Sequence, residues 1–186
     1  GTGLDGDLDV TSDLDLSEDW APAYTVTAVD GADVTIDSSS PDLLSGDEVL
    51  LINLQGSDLL NEGVGAYKFA TVASVSGDVV TLELDVVETD EDSATLLIDQ
   101  WVVMQRVPHF NDVTISGDAV LTTASWEDGG TGVLAFRALD TVWVESGSSV
   151  SVLASGYTGG ATGTSDNCDA YQGESYAGLG DGDWFL

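Results

Sequence analysis

The chain has 186 residues, of which 34 are acidic and three basic, for a formal net charge of −31, and 42% are hydrophobic. Such a surface repels nucleic acid, phosphorylated cofactors and anionic membranes, while the hydrophobic share is that of a folded domain rather than a disordered tail. No run approaches the roughly 20 apolar residues of a membrane helix, so no transmembrane helix is expected.

Apolar and polar side chains alternate with a period of two and helical periodicity is nearly absent, which predicts an all-β fold. Residues 1–19 form an acidic N-terminal segment. In an extended strand Asp5, Asp7 and Asp9 share one face and Leu4 and Leu8 the other. Two readings follow. The three carboxylates suit Ca²⁺, which takes oxygen ligands only, or they solvate an edge strand and block edge-to-edge pairing. The EF-hand pattern is not met: Val10 stands where its Gly belongs and Leu16 where its Glu belongs.

Residues 20–100 predict a small β-barrel or hairpin module. Tyr24 to Val29 and Asp33 to Ile36 flank Asp30-Gly31-Ala32, and Phe69 to Val75 is joined to Val80 through Ser76-Gly77-Asp78. Both connections have hairpin length. The nearly continuous apolar run Glu48 to Leu54 predicts a strand buried on both faces. The acidic run Glu88-Thr89-Asp90-Glu91-Asp92 marks the boundary region.

Residues 101–155 open with Trp101 to Val107 and continue as short strands separated by polar turns, a pattern that fits β-helix rungs as well as a sandwich. VTAVDGADVTI and TVASVSGDVVTL before residue 100, and VTISGDAVLTT and VWVESGSSVSVL after it, share a β-branched run, a short Gly turn and a second such run, at a spacing too irregular for a strict solenoid repeat. Residues 156–186 are rich in Gly and Asp, with no convincing strand. They hold the sole cysteine, Cys168, read as an unpaired thiol among polar neighbours.

The succession GDEVLLINLQG, YKFATVASVSGDVVTL, QRVPHFNDVTI, GGTGVLAFRA and YQGESYAG runs from about residue 46 to 178. It resembles the opening of large, glycine-rich bacterial cell-surface proteins that are secreted or lipid-anchored. The resemblance implies an exported β protein of the extracellular bacterial surface and brings no catalytic residues with it.

No catalytic constellation assembles from the residues either. His109 is the only histidine, and Gly173-Glu174-Ser175-Tyr176-Ala177 misses the nucleophile-elbow pattern at its last position. Arg106 and Arg137 sit inside strand patterns, where they are expected to neutralise buried carboxylates. The chain is therefore read as a structural protein that self-assembles into a fibre or layer, with further copies of itself as partners. The alternative is an adhesin or carbohydrate-binding module whose glycan would meet Trp126, Tyr171 and Tyr176, chosen from second-half aromatics that include Trp143, Tyr157 and Trp184. Ca²⁺ on Asp5, Asp7 and Asp9 is the one cofactor candidate.

Overall fold

The computed structural model describes residues 1–55, 64–86, 100–126 and 129–157. Two hydrophobic cores organise them. The first belongs to a closed antiparallel barrel of β3 (Ala23–Asp30), β4 (Asp33–Ile36), β5 (Glu48–Gln55), β6 (Tyr67–Ser76), β7 (Val79–Leu82) and β8 (Trp101–Val107), in the order β3-β4-β7-β6-β5-β8. Its tight hairpins turn at Gly31 (φ 61°) and Gly77 (φ 65°), left-handed positions that glycine takes without a Cβ penalty. Val34, Val49, Leu51, Val72, Val80 and Met104 fill the interior. Strand β5 is buried on both sides: Val49 and Leu51 face the barrel core, while Leu50 and Leu54 on the alternate parity are buried as well.

The second core belongs to a stack of parallel coils. Strand β1 (Leu8–Val10) pairs with β10 (Val113–Ile115), which pairs with β13 (Val142–Val144). Strand β2 (Leu14–Asp15) pairs with β11 (Val120–Thr122), which pairs with β14 (Ser149–Val150). On a third face β9 (His109–Phe110) pairs with β12 (Arg137–Ala138). All of these ladders are parallel, which decides for a β-helix-like stack over a sandwich of antiparallel sheets. Val113 lies against Val142 and Val120 against Ser149, an offset of 29 residues in both ladders. The turns stack too: Asp118 (φ 61°) lies beside Gly147 (φ 99°), where an added Cβ would collide with the Asp118 carboxylate.

The barrel is an insertion between the first and second coils. The chain completes β1 and β2, makes the single turn of α1 (Leu16–Asp19), and leaves the coil stack at Trp20-Ala21-Pro22. It returns through Pro108. Asp15 caps α1 by accepting the Ser17 N–H at 2.9 Å. Leu16 and Ala21 drop into the coil core with Phe110, Ile115 and Leu121.

Two boundaries differ from the sequence expectation. Trp101–Val107, expected to open the second module, is a barrel strand paired with both β3 and β5. The change of module therefore falls at Pro108. The acidic run at residues 88–92 resembled punctuation but precedes a strand the barrel requires for closure. The N-terminal segment, expected as a separate edge strand, is the first coil and pairs with strands about a hundred residues later.

Candidate functional site

The stacking of β12 on β9 places Arg137 directly beside His109 on one coil face. Both reach across to Glu48 on the barrel. Arg137 donates to the two Glu48 oxygens from Nε at 2.8 Å and from an Nη at 2.9 Å, and His109 Nε2 lies 2.7 Å from Glu48 Oε2. The Thr2 N–H donates to His109 Nδ1 at 3.2 Å. The Arg137 guanidinium also lies 4.6 Å from the Phe69 ring centre on β6.

A second joint forms around Arg106 of β8. One Arg106 nitrogen donates to Asp5 at 2.7 Å and to Asp47 at 3.0 Å, and another to the Trp20 carbonyl at 3.1 Å. Asp5 further accepts the His109 N–H at 2.6 Å. Both arginines thus neutralise carboxylates where barrel meets coils, and Lys68 donates to the Asp85 carbonyl within the barrel at 2.6 Å. An aromatic group closes the same junction. The Trp126 ring lies 4.6 Å from Trp101 and 4.4 Å from Tyr157, whose hydroxyl donates to the Leu54 carbonyl.

The hydrogen bonds from Arg137, and after them the one from His109, hold the Glu48 carboxyl below its ordinary range against the opposing pull of burial. A depressed carboxylate contributes stability that is complete above its unfolded pKa of about 4.3 and is lost as pH falls through the lower folded value. Acid titration of stability is therefore expected to show a component below about pH 4 that Glu48→Gln lacks. Urea melts of both proteins across this range check it, and identical profiles would contradict it.

The expected site residues are dispersed. Asp5 is engaged by Arg106, Asp7 accepts from the Asn111 side chain at 3.1 Å, and Asp9 projects into solvent between buried Leu8 and Val10. Among the described residues no group of three or more His, Cys, Asp or Glu side chains is gathered as a metal would need. Trp126 is half-buried in the junction. Tyr171 and Tyr176 lie outside the described residues, as do Cys168 and Trp184.

The feature that sequence reading missed is the end of the coil stack. Inward positions form columns along the axis. Leu8 (5% exposed), Val113 (0%) and Val142 (47%) make one, and Val10 (2%), Ile115 (0%) and Val144 (40%) another. Leu121 is fully buried while its ladder partner Val150 is exposed. Among the described residues the first coil is thus closed and the last one open. Because Val113 N–H bonds Thr141 and Glu145 N–H bonds Ile115, the N–H and C=O groups of Val142 and Val144 fall on the edge away from β10. The only sequence signal was two inward valines flanking the outward Trp143.

Compared with known proteins, the chain matches no protein-family model and no curated sequence. It is similar to several solved phage tailspikes. The tailspike gp49 of Pseudomonas phage LKA1 is 19% identical, over 56% of this chain and 20% of that one, with a TM-score of 0.31. The tailspike gp61 of Pseudomonas phage phi297 is 19% identical, over 79% and 24%, with a TM-score of 0.32. The Gp54 tailspike of Acinetobacter baumannii bacteriophage AP22, solved with a capsular saccharide, is 13% identical, over 77% and 28%, with a TM-score of 0.32. The matched region corresponds to about a quarter of each tailspike's length.

Proposed function

We propose that this chain is a structural protein of an extracellular surface, without enzymatic activity, that associates with copies of itself through the open end of its coil stack. The observation that carries this reading is the exposure of Val142 and Val144 in the same inward columns where Val113 and Ile115 are fully buried. Apolar side chains on one edge, with backbone groups that have no ladder partner among the described residues, form a template for another β edge. A two-fold contact needs only one such patch, because the same surface serves both partners.

Charge sets the conditions. At −31 per chain, two copies repel strongly in dilute buffer, whereas at 1 M salt the screening length falls to about 3 Å. The opposite edge, β1, carries the exposed carboxylates of Asp7 and Asp9, which oppose pairing there. Pairing through the open ends is thus the first step, and growth into a fibre or layer requires that second edge to be screened as well.

Sedimentation velocity across protein and salt concentration tests the reading. The expected result is a dimer that strengthens with salt and is abolished by Val142→Asp with Val144→Asp, the variant retaining its monomer fold by circular dichroism. A monomer at every salt and protein concentration would overturn it.

A further inference from the structure

Trp143 is the one large apolar side chain among the outward positions of β10 and β13. Its ladder partners on the same column are Thr114 and, beyond it, Asp9. The neighbouring outward positions along β10 and β13 are Asp112, Ser116, Thr141 and Glu145, which are short or charged as a solvated face requires. Trp143 is 59% exposed, and among the described residues the indole packs against no core, since Val142 and Val144 hold the inward positions of that strand. Among the described residues neither the Trp143 ring nor the Asp9 carboxylate has a hydrogen-bond or ring partner.

We propose that Trp143, Thr114 and Asp9 form a binding site for a neutral oligosaccharide lying across the strands. An exposed indole offers a flat apolar face for the C–H side of a pyranose ring. Asp9 accepts from sugar hydroxyls, and the Thr114 hydroxyl both donates and accepts. Charge narrows the ligand class further, because the field of this chain repels uronates, sulfated sugars and phosphates. Two ladder steps put Asp9 about 10 Å from Trp143. Two linked pyranose rings span that column.

Trp143 faces away from the coil axis, although it lies on β13, the strand of the proposed end-to-end contact. The test is binding of the wild-type chain to an array of neutral di- to tetrasaccharides, with uronate-containing oligosaccharides and choline as further arms. Trp143→Ala, Trp143→Phe and Asp9→Asn are compared by calorimetry on the best neutral binder. The expected result is binding of a neutral saccharide that Trp143→Ala weakens about tenfold or more. Trp143→Phe should keep part of the affinity, Asp9→Asn should lower it, and the melting temperature should not change in any of the three. Absence of neutral-saccharide binding, equal binding by Trp143→Ala, or preference for uronates or choline would each overturn the proposal. Sedimentation of the same variants reports the coil-end association separately.

Discussion

Phe110→Ala is expected to remove about 3–5 kcal/mol of stability, a large fraction of the roughly 5–15 kcal/mol that a folded domain holds. Phe110 is fully buried at the centre of the coil core, with its ring 5.2 Å from Trp20 and 6.3 Å from Phe136. It ties together the first coil through Trp20, its own coil, and the next one through Phe136. Close packing on every side leaves little room for the cavity to collapse. The barrel has a separate core, so the loss should show as unfolding of the coil stack ahead of the barrel. Urea denaturation at fixed high salt measures it, and a midpoint close to wild type would contradict the assigned core.

Arg106→Ala should have the second largest effect, about 3 kcal/mol. The substitution leaves Asp5 and Asp47, each 14% exposed, facing one another without their shared cation. Most of the cost comes from stranding two carboxylates and little from the attraction lost. Adding Asp5→Asn to Arg106→Ala should therefore restore part of the stability, although it removes another polar contact. If the double variant were less stable than Arg106→Ala alone, the account of this joint would fail.

Local features were legible in the chain. Gly31 and Gly77 sit at the hairpin turns expected of them, and the nearly continuous apolar run of β5 correctly signalled burial on both faces, because its outer side packs toward the coils. Gln105 on the neighbouring β8 shows that packing directly, donating to the Val133 carbonyl at 3.1 Å. The requirement for Arg106 and Arg137 to meet carboxylates could also be anticipated, since a cation inside a strand pattern needs a partner. Which carboxylates they meet could not. Asp5 and Arg106 are about a hundred residues apart, and only the return of the chain to its first coil joins them.

The same insertion hid the coil stack. The offset of 29 links β10 to β13 and β11 to β14, but the first coil is separated from the second by the whole barrel. No constant period therefore runs along the sequence. Strands β9, β12 and β14 are two residues long, too short for alternation to show. The open end was invisible for a different reason. Val142 and Val144 carry the same pattern as Val113 and Ile115, and among the described residues a strand covers only the second pair.

Hydrogen exchange at the Val142 and Val144 amides, followed as a function of protein concentration at molar salt, tests the coil-end contact most directly. The amides of Val113 and Ile115 bond within the stack and should exchange slowly at every concentration. Those of Val142 and Val144 should exchange fast in dilute solution and become protected as the protein is concentrated and a second copy covers them. Protection of Val142 and Val144 that is the same at all concentrations, whether high or low, would contradict association through this end.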